Sequence, residues 1–253
     1  MRQGRLRVLA PVLGGFTMIA GISVGLVLSS SPSRATPMRT DADGKAPTVG
    51  ALFIRTDSGQ LTVHFCTGSV VDSRAGDLVI TAAHCLIGRT PSQVAFVPGY
   101  THGMRPYGVW VATKIIEDPQ WTPDDDFAFL VVHQPGSNVS LQTLTGGEKL
   151  GIGARPTRSV RVAGYPDDLD GPISCENKAK DFSPTQFEFD CGGFTNGTSG
   201  SPLLAADPDG THETVIGVIG GYEQGGLTDS VSYAAKFSTR MAALYQTAEA
   251  AGT

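Results

Sequence analysis

From residue 49 onward the chain is a succession of short apolar runs, each cut off by a turn-forming cluster. Residues 49–54 and 61–65 flank Asp57-Ser58-Gly59-Gln60, a hairpin-like turn. Residues 68–72 and 78–82 flank Ser73-Arg74-Ala75-Gly76-Asp77. The same style continues through residues 94–97, 107–111, 114–116, 160–166, 187–191, 202–204, 214–219 and 230–234. Runs of this length, recurring roughly every 8–12 residues in places, are too short for helices and too regular for coil. The 32 Gly and 16 Pro supply the turns. The pattern predicts an all-β fold, a barrel or a sandwich, and excludes a βαβ arrangement. Only Thr239–Ala251 carries a helical period. With 253 residues, 40% of them hydrophobic, there is material for one large β domain or two small lobes.

Residues 1–35 read differently. Arg2, Arg5 and Arg7 precede an uncharged stretch, residues 8–31, and Ser33-Arg34-Ala35 is a small-x-small cleavage site. That is the layout of a secretory signal peptide. The uncharged stretch approaches the roughly 20 residues that span a bilayer, so an uncleaved membrane anchor is the competing expectation. Pro11, Gly14, Gly15, Gly21 and Gly25 count against a spanning helix. Either way the positive-inside rule places the remainder outside the cytoplasm. Residues 36–47 are polar and aperiodic, as expected of a linker or short pro-segment. Removing the four basic residues of 1–35 from the total of 19 leaves 15 against 24 acidic groups, a net of about −9. No basic face is available to nucleic acid.

Four cysteines, Cys66, Cys85, Cys175 and Cys191, lie behind the targeting stretch. An even count there predicts disulfides, and sequence alone permits three pairings. No close C-x-x-C pair supports a zinc site. No phosphate-binding loop or nucleotide motif is present, so no cofactor and no metal are expected.

Three further stretches carry chemistry. Thr81-Ala82-Ala83-His84-Cys85 ends a buried apolar run with an imidazole pinned by a cysteine. Asp126 opens the apolar run Phe127-Ala128-Phe129-Leu130 and is better placed for burial than Asp124 or Asp125, which read as solvated turn residues. Gly197-Thr198-Ser199-Gly200-Ser201-Pro202 puts a hydroxyl in a glycine-rich turn. Serine is a weak nucleophile until a neighbouring base takes its proton, and a carboxylate fixes that base. Ser201 is the nearest rival to Ser199. His64, His102, His133 and His212 lack comparable surroundings and read as structural.

The order His84, Asp126, Ser199, with the words around each, resembles the chymotrypsin-like serine proteases, and so does His64-Phe65-Cys66-Thr67-Gly68-Ser69. Gly-x-Ser-Gly-Ser-Pro is similar to the bacterial glutamyl endopeptidases. The resemblance runs over about residues 49–245. It implies two six-stranded antiparallel Greek-key barrels with the active site between them and a short C-terminal helix. It makes residues 48–253 a secreted serine endopeptidase, a monomer acting on protein or peptide substrates through an acyl-enzyme. His84, Asp126 and Ser199 are then the triad and the N–H groups of Gly197 and Ser199 the oxyanion hole. Cys66 pairs with Cys85, and Cys175 with Cys191 closes a loop ahead of the serine turn. A non-catalytic protease-fold binder, or a membrane-tethered protease, is the alternative.

Two departures from that pattern matter. Thr198 stands where the animal enzymes carry the aspartate that pairs with a freed N-terminus, and Pro47-Thr48-Val49-Gly50 is a faint echo of their start. Activation by that ion pair is not expected. Counting back six residues from Ser199 places Gly193 at the base of the specificity pocket, without the carboxylate that selects Lys or Arg. Ile219 stands where the glutamyl endopeptidases carry a histidine. Gly193, Phe194, Ile219, Gly220 and Tyr233 are expected to line an apolar pocket.

Overall fold

The computed structural model describes residues 38–39, 47–207 and 213–252. The expected signal peptide (1–35), the pro-segment or linker apart from Met38–Arg39 and Pro47, and His212 lie outside the described residues.

Six strands close into a barrel in the order Val49–Arg55, Leu61–Val70, Leu78–Thr81, Ala128–His133, Trp110–Ile116, Val94–Pro98. Every neighbouring pair is antiparallel. Alternation along the strands sorts the side chains. Leu52, Val79, Phe96, Leu130 and Val132 fill the barrel. Their neighbours Ala51, Phe53, Leu78, Ile80, Phe129 and Val131 face the other way, into a core shared with the second sheet and the C-terminal helix. Strands buried on both faces explain the unbroken apolar words Leu78-Val79-Ile80 and Phe129-Leu130-Val131-Val132.

The second sheet has nine strands. Six are longer: Val160–Gly164, Ile173–Asn177, Gln186–Asp190, Pro202–Ala206, Glu213–Ile219 and Val231–Lys236. Met38–Arg39, Lys149–Leu150 and Ala179–Asp181 are short additions. The sheet curls until two non-neighbouring strands meet. Cys175 and Cys191 are bonded there, and the Asn177 amide donates to the Asp190 carbonyl at 2.6 Å. Val162, Phe187, Phe189, Leu203 and Ile216 fill its interior. The architecture is thus two barrel-like antiparallel sheets, as the resemblance implied.

Two local expectations need correction, and one strand carries no mark in the sequence. Residues 107–109 are not strand: Tyr107-Gly108 turns, with Gly108 at φ 81°, and the Tyr107 carbonyl accepts from the Trp110 indole at 2.9 Å. The apparent break before Lys114 is a bulge inside one strand, Trp110–Ile116. Ile173–Asn177 is a strand although Glu176 and Asn177 blunt its apolar pattern.

The helix Thr239–Ala251 matches its sequence period. The Ser238 hydroxyl caps it by accepting from the Arg240 N–H at 3.1 Å. Met241, Leu244 and Ala248, spaced three and four apart, are its buried stripe. It straps onto the first barrel through Tyr245, whose hydroxyl donates to the Asp72 carbonyl at 2.6 Å.

Candidate functional site

Strand pairing brings the first two candidate residues together. Leu78–Thr81 runs antiparallel to Ala128–His133, with Thr81 opposite Ala128. His84 therefore leaves one strand end, in the tight turn Ala83–Leu86, beside Asp126, which enters the neighbouring strand. His84 Nδ1 and Asp126 Oδ2 are 2.6 Å apart. The His84 backbone N–H donates to Oδ1 at 2.9 Å, and the Gly221 N–H donates to Oδ2 at 2.7 Å. Asp126 is 1% exposed. Burial by itself would push its carboxyl up. The hydrogen bond and charge of His84, with the two backbone N–H groups, outweigh burial and hold it below the ordinary carboxylate range. An ionised carboxylate only accepts, so the imidazole turns an Nδ1–H toward it.

Of the two neighbouring aspartates, only Asp125 differs from expectation. Asp124 is exposed and accepts from the Thr185 hydroxyl at 2.7 Å. Asp125 is not solvated: it is buried and sits 3.2 Å from Arg240 Nη1 of the C-terminal helix. The strand-plus-helix packing, invisible locally, covers it.

Ser199 lies between two glycines in left-handed backbone, Gly197 at φ 90° and Gly200 at φ 85°. A Cβ on Gly200 would come within 2.1 Å of the Thr67 carbonyl oxygen, and one on Gly197 within 2.5 Å of the Tyr165 carbonyl. Thr67 clamps this turn from the first barrel. Its N–H donates to the Ser199 carbonyl at 2.8 Å and its hydroxyl to the Gly197 carbonyl at 3.0 Å. The same hydroxyl oxygen accepts from the Tyr165 N–H at 2.9 Å. The Asn196 carbonyl accepts from the Asp167 N–H at 2.8 Å, and the Thr198 carbonyl from the Ser201 N–H at 3.0 Å. In a trans peptide the N–H opposes the C=O. Both anchored carbonyls therefore turn the Gly197 and Ser199 N–H groups away from the Asp167 and Ser201 N–H groups that hold those carbonyls. Thr198 is 2% exposed, and its hydroxyl donates to the Thr195 carbonyl at 2.7 Å.

The Ser199 hydroxyl donates to the Gln224 carbonyl at 3.5 Å. Gln224 and Glu223 hold φ of 55° and 51°, positions uncommon for residues with a Cβ. Ser201, the rival serine, is fully buried, and its hydroxyl has no partner among the described residues. It has no path to a substrate.

A cleft of about 670 Å³ holds His84, Cys85, Gly197 and Ser199 together, and a pocket of about 240 Å³ opens beside Ser199. Phe194 and Ile219 line that pocket, while Gly193, Gly220 and Tyr233 are not among its lining residues. Gly220 lies against the Asp126 carboxylate instead. Tyr233 stands between buried Ser232 and Ala234 on its strand, so alternation turns it outward, where its ring packs at a tilt against Phe182 and edge-on against Tyr222. The pocket is also more polar than expected: Thr195, Thr228 and Asp229 reach it. Asp229, Thr67 and the Gly221 N–H were missed from sequence. Each acts across strands, and no local word marks it.

His64, half-buried, has Nε2 2.8 Å from the Pro166 carbonyl, and His102 Nδ1 lies 2.9 Å from the Thr101 hydroxyl. His133 is exposed. Cys66, His84 and Cys85 are close enough to resemble a metal cluster, but both sulfurs are spent in the Cys66–Cys85 disulfide and offer no thiolate.

A family model described as a trypsin-like peptidase domain matches residues 66–218. No curated protein sequence matches the chain. Among solved structures it is similar to the protease Anisep from Arthrobacter nicotinovorans, at 25% identity and a TM-score of 0.66, over 82% of this chain and 98% of that one. It is similar in fold to a thermostable serine protease, AL20, from an extremophilic microorganism, at 23% identity and a TM-score of 0.65, over 83% of this chain and 99% of that one. A Glu endopeptidase in complex with MPD shares the fold at 15% identity and a TM-score of 0.62, over 85% of this chain and 96% of that one.

Proposed function

The chain belongs to the trypsin-like peptidases, and on that premise we propose that it is a secreted serine endopeptidase in which Ser199, His84 and Asp126 carry out acyl transfer. The observation that carries the reading is the 2.6 Å bond between a buried Asp126 and His84, which lines the same cleft as Ser199.

The chemistry follows from the atoms. Asp126 holds the Nδ1–H tautomer, so Nε2 is the base. The Ser199 hydroxyl leaves the Gln224 carbonyl, a bond long enough to cost little, and gives its proton to Nε2 as Oγ attacks the substrate carbonyl. The Gly197 and Ser199 N–H groups receive the oxyanion; one such donor is worth on the order of 3 kcal/mol in the transition state. The imidazolium then protonates the leaving amine, and water repeats the sequence on the acyl-enzyme.

Secretion is supported by the layout of residues 1–35 and by two disulfides, which persist in oxidising surroundings. Residues 36–47 remain a pro-segment or linker ahead of the protease domain. Mass measurement of the exported N-terminus separates a cleaved signal from a membrane tether. Ion-pair activation is not part of the reading, because Thr198 carries no charge and the turn is already clamped by Thr67. Equal activity of chains beginning at Thr36 and at Val49 is expected; activity only in the shorter chain would refute this.

One observation favours a second reading, a binder that does not cleave: the Ser199 hydroxyl is turned to Gln224. A fluorophosphonate probe decides. The peptidase labels at Ser199, and Ser199→Ala abolishes labelling; an intact chain that never labels is a binder.

A further inference from the structure

Five residues beyond His84 the first barrel sets a cation in the wall of the cleft. The Arg89 guanidinium lies 3.9 Å over the Phe65 ring. Its Nε–H donates to the Cys85 carbonyl at 3.0 Å. That carbonyl belongs to a residue bonded to Cys66 and adjoining His84, so the guanidinium is registered to the rigid part of the site. Stacking and the Nε tether together leave the four Nη–H donors uncommitted to either contact. Arg89 is half-buried, and burial pulls its pKa down. A guanidinium cannot shed its charge to escape that cost, so an anion placed against it is stabilised.

Among the described residues no carboxylate forms an ion pair with Arg89. The cleft does contain two acids, Asp167 and Glu223, but both are exposed and screened by water. Arg89 is the only Lys or Arg among its described lining residues.

The side of the scissile bond follows from the two cavities. They share Asn196, Ser199, Gln224, Gly226 and Leu227, so they meet at the nucleophile. The smaller pocket runs from there to Phe194 and Asp229. It holds Phe194 and Ile219, where the resemblance puts the specificity pocket, and on the peptidase reading it takes the acyl side. The remaining cleft is lined by Phe65, Cys66, Cys85, Arg89 and Asp167. With the acyl half in the smaller pocket, the leaving amine is left to the rest of the cleft, which His84, Cys85 and Arg89 line.

Resting on the peptidase reading above, we propose that Arg89, stacked on Phe65, forms a subsite for a carboxylate in the leaving segment of the substrate. Two sources share that chemistry: an Asp or Glu side chain within the first few residues after the cut, or the terminal α-carboxylate of a short leaving peptide. Charge-assisted hydrogen bonds of this kind correspond to roughly a tenfold preference.

The test uses peptides with one acyl half and Gln, Glu or Lys at each of the first leaving-side positions, each with a free or amidated C-terminus. The expected result is a kcat/KM about tenfold higher for Glu than Gln at one position, or for free acid over amide. In Arg89→Gln that ratio falls to near one. Should Arg89→Gln fail to fold, the wild-type ratio is followed as salt is raised; it falls if a charge pair sets it, and a salt-independent ratio overturns the proposal. A wild-type ratio of one, a ratio that survives in Arg89→Gln, or a preference for Lys, which would make Asp167 the controlling charge, each overturns it as well. Fluorophosphonate labelling with a flat ratio sinks the subsite alone. No labelling and no cleavage sinks the peptidase reading and the subsite with it.

Discussion

The Thr67 hydroxyl donates to the Gly197 carbonyl at 3.0 Å, linking residues 130 positions apart in the chain. Thr67 is fully buried and its hydroxyl also receives the Tyr165 N–H. One side chain from the first barrel thus sets the peptide plane that follows Gly197 in the second. Replacing it with Val keeps the shape but leaves the Tyr165 N–H and the Gly197 carbonyl unpaired, at about 1–3 kcal/mol each. We expect Thr67→Val to lower kcat by about tenfold or more, with a smaller change in KM, because the two peptides flanking the released one carry the proposed Gly197 and Ser199 donors, and a mis-set donor is felt in the transition state. Thr67→Ser should restore most of kcat. Equal losses in both variants would deny the hydroxyl this role.

Asp126→Asn removes the acceptor that holds the Nδ1–H tautomer. An amide in its place can present N–H to Nδ1 and put the proton on Nε2, the wrong nitrogen for a base. We expect kcat to fall by about 10³–10⁴-fold. The fluorophosphonate labelling rate should fall in parallel, and its retention would remove Asp126 from the site.

Asp77 gives a stability prediction of opposite sign to Asp126. Its Oδ1 is buried without a partner among the described residues, and Gly252, at the C-terminal end of the helix, packs against the carboxyl. Burial raises its pKa, with Glu249 pushing the same way, against its own backbone and Lys114. A raised acid contributes stability below its unfolded value, about 3.9, and loses it as pH rises through the folded value. Asp77→Asn mimics the protonated form. Its Tm should exceed the wild type by a few degrees at neutral pH and converge with it in acid. A difference that does not shrink as pH falls would rule out titration of Asp77 as the cause. Asp126, held low, contributes in the opposite window, above about pH 3.9, and that contribution is lost in acid.

Asp229 lines the pocket beside Ser199, which the peptidase reading assigns to the acyl side. An acidic substrate side chain would meet like charge there. In Asp229→Asn, cleavage after Glu relative to Gln should rise several-fold in a peptide series. An unchanged ratio would show that water screens the exposed carboxylate completely.

Legibility followed range. His84, Asp126 and Ser199 each sit inside a local word whose strand and turn character survives in the structure. Asp125 and Tyr233 were misjudged because their surroundings come from elsewhere: the C-terminal helix carries Arg240 to the first, and strand alternation turns the second onto Phe182 and Tyr222. Residues 107–109 looked like strand because an apolar word does not reveal a left-handed glycine within it.

By itself the order of residues determined the β-rich class, the C-terminal helix, the even set of cysteines and which three side chains are proposed to react. These depend on spacing, turn chemistry and side-chain type, all written within a few positions of one another. Tertiary structure alone decided which carbonyl Thr67 grips, which N–H groups reach Asp126, what lines the pocket beside Ser199, and where the Arg89 charge rests. Hydrogen bonds and charges act over a few ångströms of space, and only the closed barrels bring residues a hundred positions apart within that reach.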